Sequence, residues 1–218
     1  MDQGTIFSDL PRSQLSDANV ALNSVVSLDI QLQQKLISHS QLLQLDRNAF
    51  LFSQDESADA FYLILSGAFK LVKSQGDNSS VPAESSTLIE VVGPGDLIAA
   101  ALMQNATVQS VYPVSAKAMM KSKVLRFSKT YYHQDWLTEP ALFQYAQTQM
   151  LKKISRMQKD RCLQRMSLEQ RVAYFLTEKV GSIAQLKITR QDIADAIGAS
   201  QEAVIRLLSQ WKSDGWIE

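Results

Sequence analysis

The feature that most restricts the fold is a change in the period of the apolar residues near residue 139. From about Leu42 to Phe127 they recur at every second position in short β-prone segments: 49–52, Ala60 to Leu65, Ala68 to Lys73, Thr87 to Val92 and Val124 to Phe127. Turn-forming clusters separate them, at Gln54-Asp55-Glu56, Ser66-Gly67, Ser74 to Ser86 and Gly93-Pro94-Gly95-Asp96. Many short strands with no long helix between them predict a roll, barrel or sandwich. The stretch Ser74 to Ser86 is too polar for a core and reads as an exposed hairpin loop. Upstream, Leu28, Leu32, Leu36 and Ile37 predict a short amphipathic helix, and residues 1–27, rich in Ser, Asn and Asp, read as a loose extension.

Beyond Glu139 the helical period returns. Phe143, Gln147, Met150, Ile154, Met157 and Arg161 follow one another at alternating spacings of four and three, the seam of a coiled coil. No glycine or proline interrupts the run after Pro140, so the spacing predicts a helix about 37 Å long. That exceeds what one small domain covers. Phe143, Met150, Ile154 and Met157 are therefore the expected dimer interface, with an ordinary helix packed on its own domain as the alternative. Ser167-Leu168-Glu169-Gln170 has the form of a capping box that starts a new helix running to about Val180. The expected organisation is an extension over 1–27, a β-roll over 28–138, a dimerisation helix over 139–165 and a DNA-binding domain over 166–218, an α+β chain.

The most specific local pattern lies between Arg190 and Ser209. Thr189 reads as the cap of a helix that buries Ile193, Ala194 and Ile197; Gly198 ends it, and Ser200 caps a second helix that buries Val204, Leu207 and Leu208. A tight corner between two helices imposes these residue types. Ala194 is small where the helices cross, Gly198 supplies a positive φ, and Val204 and Leu207 fill the wedge. The spacing is that of a DNA-binding helix-turn-helix. Gln201, Glu202 and Arg206 stand on the outward face of the second helix, with chemistry suited to adenine, cytosine and guanine edges respectively. The plain alternative is a solvated face with a Glu202–Arg206 pair. With Thr189, Arg190 and Ser200 at the helix starts, these residues form the expected DNA-contact set.

Charge is distributed to match. The chain is neutral overall, but residues 1–149 carry a net −4 and residues 150–218 a net +4, an electrostatic footprint for a polyanion at the C-terminal end. The lone cysteine, Cys162, excludes an internal disulfide and an iron–sulfur cluster held by four cysteines of one chain; it reads as a small packing residue more readily than a redox sensor. His39 and His133 stand far apart, no His/Asp/Glu cluster has metal-ligand spacing, and no Gly-rich loop precedes a helix. Neither a metal nor an enzyme activity is expected. The longest apolar run, Leu97 to Met103, is far short of the roughly 20 residues of a membrane span, and no basic stretch followed by an apolar core opens the chain. The cytoplasm is the expected compartment, with no membrane partner.

Two motif sets carry a resemblance. Thr189-Arg190-Gln191-Asp192-Ile193-Ala194, Gly198 and Ser200-Gln201-Glu202-Ala203-Val204-Ile205-Arg206 resemble the helix-turn-helix of the CRP/FNR family of bacterial regulators. Phe52, Gln54-Asp55, Asp59, Tyr62-Leu63-Ile64-Leu65-Ser66-Gly67 and Lys70-Leu71, followed by Gly93-Pro94-Gly95-Asp96, resemble that family's cyclic-nucleotide-binding-type β-roll. Together they span about residues 30–217. The resemblance implies a jelly-roll-like sensor, a dimerising helix and a winged helix-turn-helix. It also implies a homodimer that places recognition helices in successive major grooves of double-stranded DNA, with RNA polymerase as a further partner.

The departures from the family are informative. Ala100 stands near the glutamate that members binding cyclic AMP use for the ribose, and Tyr112-Pro113 stand near their arginine and hydroxyl residue. An effector pocket is expected around Leu97, Ile98, Ala100, Tyr112 and Pro113, but cyclic AMP is disfavoured there because its phosphate would lack a cationic partner. The cysteine cluster of the oxygen-sensing branch is absent; haem at His39 or His133, a device of some relatives, is left open. Gln201 and Ala203 replace an arginine and a threonine common around Glu202. The sequence stops at Glu218, where members continue into the wing. A degenerate member acting as an effector-independent architectural or protein-interaction module is the alternative function.

Overall fold

Ala60–Ser66 and Ser122–Ser128 form the centre of the molecule: Ala60 to Leu65 are buried on both faces of the strand, and Ser122–Ser128 is buried over most of its length. The computed structural model of the chain describes residues 20–24, 26, 28–74, 86–104, 109–163, 165–180 and 188–217, without the side chains of 160–163 and 178–180. The loop expected within Ser74 to Ser86, most of the N-terminal extension, and the side chains of Arg161 and Cys162 lie outside the described residues.

The strands are β1 (Gln41–Leu45), β2 (Phe50–Phe52), β3 (Ala60–Ser66), β4 (Phe69–Ser74), β5 (Ser86–Val92), β6 (Leu97–Ile98), β7 (Ser115–Ala118) and β8 (Ser122–Ser128). They form two four-stranded antiparallel sheets, in the orders β1-β8-β3-β6 and β2-β7-β4-β5. Two sheets of short strands are one of the forms, roll, barrel or sandwich, expected from the period of two. Phe61, Leu63, Phe69, Val124, Leu125 and Phe127 are buried in the core of the β-roll. Gly67, at φ 86°, turns β3 into β4 where an added Cβ would lie 2.7 Å from the Ser122 backbone, so a side chain there is excluded by both angle and space.

The main helices among the described residues are α1 (Ile30–Ser38), α2 (Pro140–Leu163), α3 (Leu168–Tyr174), α4 (Arg190–Ile197) and α5 (Gln201–Ser213). α1 begins later than the apolar spacing suggested, because the Asp29 side chain accepts from the Leu32 amide and fixes the cap there. The extension expected over 1–27 is not loose throughout: residues 20–24 are helical, and Leu22 and Val26 are buried against the β-roll core. α2 runs 24 residues and starts with Pro140, whose missing amide costs nothing in a first turn. Ser167 and Gln170 form the capping box of α3, and the helix continues to Val180 with a π-helical turn over Phe175–Val180. A short helical segment, Lys129–Tyr131 then Tyr132–Trp136, links β8 to α2, with Trp136 edge-on to Phe61 and Phe127. Tyr131 stacks between Phe127 and His39, and burial pushes its phenol up to about 12.

Candidate functional site

Helix ends set the geometry of α4 and α5. The Thr189 hydroxyl accepts from the Asp192 amide at 3.0 Å, and Asp192 accepts from the Thr189 amide at 3.2 Å, a reciprocal box that satisfies both groups. α4 stops at Gly198, which adopts φ 66° and ψ 48°, and the Ser200 hydroxyl then accepts from the Ala203 amide to start α5. From α3, Arg171 donates to the Ile197 carbonyl at 2.6 Å and so ties down the last turn of α4. Ala194 and Val204 have no exposed surface, and Ile193 and Leu207 are buried beside them. This packing sets which face of α5 turns inward. Gln201, Glu202 and Arg206 point to solvent, as do Thr189, Arg190 and Ser200, and no ion pair joins Glu202 to Arg206.

The second site is a cavity of about 360 Å³ between the β-roll and α2. Leu97, Ile98, Ala100, Tyr112 and Pro113 all line it, with Phe52, Leu71 and Val92 from the strands and Phe143, Gln147 and Met150 from α2. Tyr112 does not offer its hydroxyl to the cavity. Its ring stacks 3.9 Å from Phe52, its hydroxyl donates to the Ala60 carbonyl, and burial raises its pKa. Ala99, in the same wall, adopts φ 64°, a left-handed conformation that an alanine rarely takes. Neither His39 nor His133 lines the cavity.

The cations at the cavity edge are already paired. Arg156 on α2 donates to Asp96 at 2.9 Å and lies 3.5 Å from Glu90, while Lys153 stands 3.3 Å from Glu90. Hydrogen bonding to Asp96, outweighing desolvation, raises the Arg156 pKa further. Tyr145, also on α2, donates to the Gly95 carbonyl. The side chains of Arg156, Lys153 and Tyr145 thus bolt α2 to β5 and to the Gly93–Asp96 turn. An anionic ligand has to displace a carboxylate to reach Arg156. The sequence reading missed this cluster; its only trace is a pair of basic residues three apart on a helix facing an acidic strand and turn.

Two family descriptions match the chain: the Cyclic nucleotide-binding domain over residues 42–134, and the Crp-like helix-turn-helix domain over residues 170–218. The chain belongs to the CRP/FNR family. As a member it is a DNA-binding transcription regulator. No curated protein sequence matches it. Among solved structures it is similar to the c-di-GMP-responsive global regulator CLP of Xanthomonas campestris, at 15% identity and TM-score 0.68, covering 86% of this chain and 93% of that one. FixK2 of Bradyrhizobium japonicum matches at 20% identity and TM-score 0.65, covering 81% and 86% respectively. A CRP-family transcriptional regulator of Thermus thermophilus matches at 16% identity and TM-score 0.65, covering 81% and 87%. At these identities the likeness is one of fold. No helix among the described residues is long and apolar enough to cross a membrane.

Proposed function

We propose that this CRP/FNR regulator acts as a homodimer joined through α2, reads double-stranded DNA with α5, and answers to a neutral or apolar effector rather than to cyclic AMP. The observation that carries the DNA reading is the split character of α5. Its inner face is locked by Val204 and Leu207, and its outer face presents Gln201, Glu202 and Arg206 unpaired to solvent. Such a helix enters a major groove with Arg206 bidentate to guanine and Glu202 accepting from cytosine N4. Thr189, Arg190 and Ser200 hold the phosphates on either side.

The dimer is supported by exposure along α2. Phe143, Met150, Ile154 and Met157 are between 39% and 55% exposed, a row of large apolar residues that a lone helix would leave in water. The effector class follows from the cavity, whose walls are mostly apolar and whose cations are neutralised by Glu90 and Asp96. The reading is that of a cytoplasmic regulator and not an enzyme, with RNA polymerase as the protein it addresses at a promoter.

Selection of bound sequences from random DNA, with and without cell extract, tests the whole reading. The expected product is a near-palindrome with half-sites about 10 base pairs apart or a multiple of that. Enrichment that extract changes reports an effector. Recovery of no preferred sequence sinks the base-reading role of α5.

A further inference from the structure

The strands that wall the cavity carry a second apolar face on their other side. Phe69 and Leu71 of β4 belong to the core between the sheets, whereas Lys70 and Val72 face away from it. The cross-strand register extends this division to β5. Val72 lies opposite Leu88 and Lys70 opposite Val91 on the outer face, while Leu71 lies opposite Glu90 and Phe69 opposite Val92 on the inner one. An outer face of an antiparallel sheet is ordinarily polar. Here Val72, Leu88 and Val91 are buried, and they cluster with Ile193, Ala194 and Phe175 of the DNA-binding domain.

One ion pair crosses the same boundary. Lys70 Nζ lies 2.6 Å from Asp192 Oδ1, and the Asp192 side chain is only 8% exposed. Burial would push the Asp192 carboxyl up, but Lys70 and Thr189 together hold it below the usual range. The other carboxylate oxygen, Oδ2, accepts from the Thr189 hydroxyl at 2.7 Å. A cation from the sensor is therefore bonded to the residue that closes the cap of α4.

The geometry points to the outer face of β4 and β5 as a seat for the helix-turn-helix, latched by Lys70 and Asp192, through which the cavity wall sets the orientation of α5. Leu71 and Glu90 line the cavity from the strands whose opposite faces hold α4. A ligand that shifts this two-stranded ribbon shifts the seat, because side chains on both faces hang from one backbone. The DNA-reading residues stay exposed while seated, so the seat orients α5 and does not cover it. Lys70 is a positioning residue: without it Asp192 is left as a buried charge with no cation, which favours release. The control of α5 rests on the DNA-binding reading; the seat itself does not.

Hydrogen exchange on the full chain tests the seat. In Lys70→Met the amides of α4 and β5 should exchange at least about fivefold faster, with those of β3 and β8 unchanged, and Lys70→Arg should keep wild-type rates. Leu88→Glu attacks the apolar half of the contact and should give the same pattern. The second measurement is affinity for DNA selected by the wild type, which should change at least about fivefold in Lys70→Met and not in Lys70→Arg. Unchanged exchange in both Lys70→Met and Leu88→Glu overturns the seat. Faster exchange with unchanged DNA affinity overturns its control of α5. A wild type that selects no DNA sequence sinks the functional reading, and the exchange rates still decide the seat.

Discussion

At the scale of single residues, backbone angle and exposure separate what each side chain contributes. Gly198 has nothing within 4 Å of the place a Cβ would take, so its φ of 66° and not crowding demands glycine. Gly198→Ala should lower stability by about 1–2 kcal/mol through the left-handed backbone alone, seen as a lower Tm with unchanged circular dichroism below it. Arg206 is the opposite case. It is exposed and unpaired, so Arg206→Ala should leave Tm within about half a kcal/mol of wild type. On selected DNA the same change should cost about 1–3 kcal/mol and relax preference at one base pair per half-site. Fluorescence titration on specific and scrambled DNA at two salt concentrations decides it. Equal weakening on both DNAs would make Arg206 a phosphate contact only.

At the scale of elements, the helix-turn-helix was legible because its corner admits few residue types. Ala194, Gly198, Val204 and Leu207 each answer a steric demand of two helices crossing in three residues. β2, β3, β4, β5 and β8 were legible as short β-prone segments, whereas β1, β6 and β7 were not singled out, and α1 starts later than its apolar spacing suggested because Asp29 caps it. The seat was not legible. β4 reads Phe-Lys-Leu-Val-Lys, and a lysine on its outer row looks like a solvated face; Asp192 looks like an ordinary cap. Only the coincidence of Val72, Leu88 and Val91 on that same outer row hinted that both faces of the sheet are covered. For α2 the spacing of four and three and the exposure of Met150 and Ile154 make one claim together. Met150→Glu with Ile154→Glu should give monomers in sedimentation velocity, since a seam does not tolerate two buried like charges. A double variant that remains a dimer places the interface elsewhere.

At the scale of the whole molecule, the cavity ties the sensor to the helix that would join two copies. Arg156 and Lys153 are matched at its edge by Asp96 and Glu90, and the Tyr112 hydroxyl is engaged by the Ala60 carbonyl. A cyclic phosphate finds no unpaired cation there among the described residues. Isothermal titration with cyclic AMP should show nothing tighter than about 100 μM, roughly −5.5 kcal/mol. A tighter isotherm would mean that Arg156 leaves its carboxylates for the ligand.

Phe143 and Met150 line the cavity and also stand in the exposed apolar row of α2. In a dimer built on that row, a second chain lies against the wall of the ligand chamber, so occupancy and association are linked by mass action. Diluting the protein then weakens its grip on the effector, and adding effector strengthens the pairing by the same factor. An effector affinity that tightens as the protein concentration rises through the range in which the chains pair is the direct sign of this linkage. Under it, the response of the cell to a fixed amount of signal depends on how many copies of the regulator it holds.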